Sequence, residues 1–160
     1  MSLIIRRTVS YEWDTGKFYS RVNNSNVKVG DELTGTVKEC GHVRISVNNK
    51  GILAHRLAYI LMDKEVPEFI DHKDQDPTNN KWSNLRAATF QQNQWNTGKR
   101  TTNTSGYKNV SKVKNKERWT VSVTTPNGRK YIGSFKCPEL ANEAAITARK
   151  KYQGEFYHDK

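Results

Sequence analysis

Residues 66–96 read VPEFIDHKDQDPTNNKWSNLRAATFQQNQWN. A brief apolar approach, Phe69-Ile70, runs into a polar loop holding Asp71, His72, Asp74, Asp76 and Asn80, residues that cannot build a core. Thr89 and Gln92 then stand at capping-box spacing, where each side chain satisfies the other's orphan backbone N–H. A helix is therefore expected to begin near Phe90, with Asn93 in its first turns.

Upstream, residues 1–53 read as short strands and turns, because KFYSRV and HVRISVN alternate apolar with polar side chains, as a half-buried strand must. Thr15-Gly16, Val29-Gly30-Asp31 and Cys40-Gly41 punctuate them. From Leu53 to Met62 the spacing becomes helical, with Leu53, Leu57, Ile60 and Leu61 on one stripe. Downstream, residues 97–105 (TGKRTTNTS) have no apolar residue and the composition of a flexible or DNA-hugging linker. Beyond it GYKNVSKV, RWTVSVTT and KYIGSFK alternate like three strands, and Pro126-Asn127-Gly128 supplies hairpin chemistry between the last two. CPELANEAAITARKKYQGEF then reads as a helix, with Pro138 at its first position, Glu139 in its first turn, Lys150-Lys151 in its last and Gly154 as the stop. Leu140, Ala144, Ala148 and Tyr152, with Ala141 and Ala145 beside them, are expected to lie on the sheet.

The 160 residues carry 27 basic and 16 acidic side chains, a net charge of +11. That balance is the electrostatic footprint of a polyanion binder, and nucleic acid is the leading partner. The excess is +4 over residues 1–100 and +7 over residues 101–160. No run approaches the roughly 20 apolar residues of a membrane span, and the start MSLIIRRTVSYEWD lacks the order of a secretory signal. An intracellular protein is expected. Cys40 and Cys137 are too few and too far apart for a thiolate zinc site, and both are expected to be small buried hydrophobes, with a disulfide as the alternative.

Phosphodiester cleavage needs an activated water, positive charge at the phosphate and a basic approach surface. One histidine and one divalent cation can meet the first two needs. The sequence IDHKDQDPTNNKWSNLRAATFQQNQWN resembles the HNH (His-Me finger) nucleases, in particular phage and intron-encoded homing endonucleases whose last motif residue is Asn. The ordered elements are Asp71-His72, Asn84-Leu85-Arg86 and Asn93, and the upstream GHVRISVNNKGILAHRLAY extends the likeness to about residues 35–96. The resemblance implies His72 as general base, Asn84 as the residue that orients its imidazole, and Asp71 and Asn93 as metal ligands. Asn93 in place of a second histidine favours Mg²⁺ or Mn²⁺ over zinc, and no structural zinc is expected.

Each residue has a plainer reading beside this one. Asp71, Asp74 and Asp76 suit turns and caps, and so do Asn79, Asn80 and Asn84. Asp74 and Asp76 are reserve metal ligands. His55, within apolar LAHRLAY, reads as a packed histidine, and His42 and His158 show no constellation. Arg56 and Arg86 suit phosphate contacts or surface ion pairs equally.

Residues 105–158 resemble the three-strand-plus-helix DNA-binding domain of plant ethylene-response factors, through Gly106, Val110, Trp119, Gly133, Phe135 and Ala144-Ala145. The resemblance implies a DNA-facing set of Lys108, Ser111, Lys112, Thr124, Arg129 and Tyr131, to which Lys99 and Arg100 of the linker add charge. Trp119 reads as a core anchor or as part of that surface, and the run Lys112, Lys114, Lys116 and Arg118 as DNA-directed or simply solvated.

The expected fold is α+β: short N-terminal strands and a helix lead into a ββα-metal finger, followed by a three-stranded antiparallel sheet packed on one helix. The expected domains are a nuclease domain at 1–96 with its ββα core at about 53–96, a basic linker at 97–105, and a DNA-binding domain at 106–160. The function implied is metal-dependent hydrolysis of duplex DNA, a nick leaving 3′-hydroxyl and 5′-phosphate, by a monomer or weak dimer in the cytoplasm, the host's if phage-encoded. The alternatives are a DNA-binding regulator built on an inactive finger and an RNA-directed nuclease or binder.

Overall fold

The computed structural model describes residues 2–99 and 101–158, which form two compact units divided between Ala88 and Thr89. This division falls before the capped helix, so Asn93 belongs to the second unit, whereas the sequence reading puts the linker at 97–105. The architecture is α+β, built on small antiparallel sheets.

The first unit opens with α1 (Ser2–Thr8), which the sequence reading does not anticipate. A seven-residue helix is too short to be stable by propensity alone. Arg6 instead ties it to the rest of the unit, donating from Nε and Nη2 to the Ile60 carbonyl at 3.2 and 3.0 Å and pairing with Asp63. Two hairpins follow. The first joins β1 (Val9–Glu12) to β2 (Lys17–Ser20). The second joins β4 (Val43–Val47) to β5 (Lys50–Leu53) through Asn48 and Asn49, both at positive φ, with β3 (Thr36–Val37) on the outer edge of β4. Chain direction then passes into α2 (Ala54–Leu61), which buries Ala54, His55, Leu57, Ala58 and Tyr59. The buried stripe is therefore centred on Leu57 and rotated from the one expected, because Ile60 and Leu61 sit at the half-exposed end of a two-turn helix.

The last pair of strands in this unit is a ribbon of β6 (Phe69–His72) and β7 (Leu85–Ala88), with His72 opposite Leu85 and Asp71 opposite Arg86. A two-stranded ribbon is marginal in water by itself. Here Ile70 and Leu85 enter the core formed by Ile5, Val9, Phe18, Ile45, Val47 and α2. The polar loop between the strands is clamped from outside the ribbon. Tyr11 donates from its hydroxyl to the Asn80 carbonyl at 2.6 Å, and the Trp82 amide donates to the Trp13 carbonyl at 2.9 Å. The β1–β2 turn approaches so closely that a Cβ on Gly16, at φ 79°, would stand 2.6 Å from the Lys81 nitrogen.

In the second unit Thr89 and Gln92 form the expected capping box at the start of α3 (Phe90–Asn96). The sheet is β8 (Val110–Lys112), β9 (Trp119–Thr125) and β10 (Gly128–Phe135), antiparallel in the order β10-β9-β8. Val110, Val121 and Val123 face Ala141, Ala145 and Ala148 of α4 (Pro138–Gln153), with Trp119 partly buried at the margin. Of the expected α4 stripe, Ala141, Ala145, Ala148 and Tyr152 pack on the sheet, and Leu140 is the correction. Leu140 points outward, 51% exposed, and the buried line runs through Ala141, Ala145, Ala148, Arg149 and Gln153, because methyl-sized side chains let the helix lie close on the valines. Cys40 is also corrected: it lies exposed at a turn, and Cys137 is half-buried, both as free thiols.

Overpacking separates the two helix faces experimentally. Ala145→Leu is expected to cost about 1–3 kcal/mol in urea denaturation, and Leu140→Ala to stay within about 0.5 kcal/mol of wild type. The opposite ranking would contradict the assigned face.

Candidate functional site

Strand alternation in β6 would ordinarily give one buried and one exposed residue, yet Asp71 and His72 are both buried, at 4% and 5% exposure. The buried carboxylate is matched by its cross-strand neighbour. Arg86 donates to Asp71 Oδ2 from Nε at 2.7 Å and from Nη2 at 2.6 Å. Antiparallel register sets this pair, since directly opposed residues share one side of a ribbon. Arg86, expected among the phosphate contacts, is thus engaged within the protein. Arg56 is also occupied internally: its Nη1 donates to the Pro67 and Glu68 carbonyls, at 3.2 and 3.4 Å, and latches α2 to the approach into β6.

The polar loop is ordered by carboxylate and amide side chains. Asp74 accepts from the Asp76 amide at 2.9 Å, from Asn84 Nδ2 at 2.9 Å and from Asn79 Nδ2 at 2.6 Å. Asn84 returns the contact by accepting from the Asp74 amide at 3.1 Å, and also donates to the Asn79 carbonyl at 2.8 Å. Asn84, expected to hold the His72 imidazole, therefore spends its side chain on the loop. The amide beside the ring is that of Asn80, also buried, which the sequence reading does not distinguish from its neighbours. Asp76 accepts from the Thr78 amide and hydroxyl, at 2.9 and 2.6 Å, so both reserve ligands act as turn formers.

Burial holds the His72 imidazole below its ordinary pKa of 6.5, with His42 adding to the effect, while Asn80, Asp74 and Asp71 oppose it. The ring is neutral near pH 7, the form that can accept a proton. For Asp74, partial burial works against ionisation, but the hydrogen bonds from Asp76, Asn79 and Asn84 prevail and hold its carboxyl below the ordinary 3.8.

Two further histidines converge on His72, and sequence reasoning missed both. His55, at the start of α2, is 6% exposed, with its ring centroid 5.4 Å from that of His72. His42, half-exposed just before β4, is 5.6 Å from His72 and 4.9 Å from His55. One nitrogen from each ring lies within 4.8 Å of the other two. The turn before His42 is set by close packing on the polar loop, since a Cβ on Gly41 would meet Pro77 Cγ at 2.7 Å. Burial, followed by His72, His42 and Arg56, pushes His55 down to about 3. Three single histidines on three segments leave no periodic trace in the sequence, so His42 in particular reads there as isolated.

In the second unit Asn93 stands half-buried on α3, its side chain without a hydrogen-bond partner among the described residues. Of the six sheet residues expected to face DNA, four share the surface opposite α4: register places Ser111 beside Thr120, and Arg129 and Tyr131 beside Thr124 and Ser122. All four are exposed, Tyr131 at 61%. Lys108 and Lys112 depart from that set. Lys108 Nζ donates to the Trp95 carbonyl at 2.7 Å and to that of Thr97, where an ammonium suits the negative end of α3. Lys112 registers with Trp119 on the opposite side and pairs with Glu117 at 3.0 Å. Lys99 is exposed and donates to the Gly106 carbonyl at 3.0 Å, and Arg100 lies outside the described residues.

Residues 53–95 match the HNH endonuclease family. Protein 3.8 of Escherichia phage T7 is 34% identical over 90 residues, covering 55% of this chain and 72% of that protein. A solved structure describing DNA binding and cleavage by the HNH homing endonuclease I-HmuI is 25% identical over 85% of this chain and 76% of that one, with a TM-score of 0.44. No helix among the described residues is long and apolar enough to cross a membrane.

The hydrogen bonds at Asn84 and Asp74 make two predictions about stability. Asn84→Ala, which leaves buried polar groups unmatched, is expected to cost about 1–3 kcal/mol. Because the folded Asp74 pKa is depressed, its contribution is complete above the ordinary carboxylate value and is lost as pH falls through the folded value. The gap in melting temperature between wild type and Asp74→Asn should therefore narrow from pH 6 into the acid range. A gap that widens would reverse the assigned sign.

Proposed function

Since this chain belongs to the family of Protein 3.8 of Escherichia phage T7 and carries an HNH endonuclease domain at residues 53–95, we propose that it hydrolyses a phosphodiester bond of duplex DNA with the help of a divalent cation. The observation that carries this reading is the neutral, buried His72 next to Asp71 on one braced ribbon, inside the matched segment.

In this mechanism His72 takes a proton from water as the water oxygen attacks phosphorus. The bond from phosphorus to the 3′ oxygen breaks, and that oxygen takes a proton from solvent, leaving a 3′-hydroxyl and a 5′-phosphate. Asp71 would hold the cation, a carboxylate oxygen being the kind of hard donor that Mg²⁺ or Mn²⁺ prefers. When bound, such an ion supplies positive charge at the scissile phosphate and the leaving oxygen. Arg86 holds the Asp71 carboxylate in one orientation, and Asn84 acts on His72 indirectly by fixing the loop that carries Asp74.

The second unit would extend the footprint. An exposed sheet face with Ser111, Thr124, Arg129 and Tyr131 offers hydrogen-bond and cationic groups to a DNA groove or backbone, and the net charge of +11 favours association at low salt. With one such constellation among the described residues, a monomer would nick, and homing by a phage-encoded enzyme in the host cytoplasm is the setting this reading suits.

Supercoiled plasmid tests the reading. Wild type with Mg²⁺ should convert it to open circles, chelator should stop the reaction, and His72→Ala should be slower by about 10²–10⁴-fold. Plasmid that stays supercoiled with every divalent cation, yet binds the protein, would overturn it in favour of a DNA-binding regulator.

A further inference from the structure

A second set of donor atoms, of a different kind, lies beside His72. Three imidazoles on separate segments converge there: His42 from the turn before β4, His55 from α2 and His72 from β6. Neutral imidazole nitrogen is a ligand for Zn²⁺ and similar transition ions, and a set of three with a water in the fourth position is a common arrangement. The absence of paired cysteines bears only on thiolate sites.

Two observations point to a ligand. His55 Nδ1 is fully buried and has no hydrogen-bond partner among the described residues. A buried polar atom of this kind is costly unless something meets it. His42 is half-exposed, so an ion has a way in from solvent. The candidate nitrogens lie within 4.8 Å of one another, whereas tetrahedral Zn²⁺ with bonds near 2.0–2.1 Å needs them about 3.3 Å apart. Binding therefore requires the half-exposed His42 ring to turn toward the other two.

We propose that His42, His55 and His72 together bind one Zn²⁺-class transition-metal ion, and that this ion switches off cleavage by occupying the His72 nitrogen that would otherwise take the proton from water. The switch rests on the reading of His72 as the general base, whereas the binding site does not. The soft-to-borderline nitrogen set is separate from the oxygen donors assigned to Mg²⁺, so the two ions would have opposite effects on one active centre.

Full-length protein freed of metal by chelation and titrated with Co²⁺, without DNA or Mg²⁺, tests the site. Wild type should take up one equivalent, develop the visible bands of low-symmetry cobalt, and lose them when Zn²⁺ is added. His42→Ala should weaken binding by more than the roughly 10-fold typical of losing an outer partner. His42→Cys should retain binding and add a thiolate-to-cobalt charge-transfer band, a gain of signal that a misfolded variant cannot produce. Absence of wild-type bands, or bands unchanged in both variants, overturns the site. In the plasmid assay with Mg²⁺, equimolar Zn²⁺ should stop wild-type cleavage and chelation of the zinc should restore it. Cobalt binding by a protein that never cuts would leave the site standing and defeat the nuclease reading. Cleavage indifferent to bound zinc would defeat the switch alone.

Discussion

A buried carboxylate beside a buried imidazole is an arrangement that water does not stabilise, and the Asp71–Arg86 ion pair makes it tenable. Removing one member of such a pair leaves an uncompensated charge and typically costs about 3–5 kcal/mol, although the intact pair need contribute little net stability. Its value here is orientation. Register puts Arg86 directly across the ribbon from Asp71, and His72, the next residue, is held wherever that register is held. The ribbon is too small to keep register unaided, so the α2 core beneath it and the Tyr11, Trp13 and Gly16 contacts to its loop are parts of the same constraint.

The loop between β6 and β7 shows how polar residues can be structural without a core. Asp74, Asn79 and Asn84 satisfy one another, so the chain can cross from one strand to the other with little apolar content and still fix the groups next to His72. Asn84 influences the imidazole through Asp74 and the loop. That arrangement couples loop stability to the electrostatics of the ring.

Features decided by near neighbours in the chain were legible in the sequence. The Thr89–Gln92 capping box, the Pro126-Asn127-Gly128 hairpin, and Pro138 and Gly154 at the ends of α4 depend on chemistry within a few residues, and the structure has them where the spacing puts them. Features set by long-range packing were not. The α1 helix depends on Arg6 reaching Ile60, Leu140 lies outside the α4 face that Ala141, Ala145 and Ala148 make, and Lys108 turns from the expected DNA face to the end of α3. In the candidate site, Asp71 and His72 could be singled out because motif order is local. The convergence of His42 and His55 on them is a property of tertiary structure alone.

In the proposed mechanism the His72 ring itself takes the proton from water. Chemical rescue measures this most directly: single-turnover cleavage by His72→Ala in the presence of free imidazole. The rate should rise saturably with imidazole and with pH as imidazole loses its proton, under conditions where wild type is unaffected. Wild-type cleavage by the variant without imidazole would contradict it.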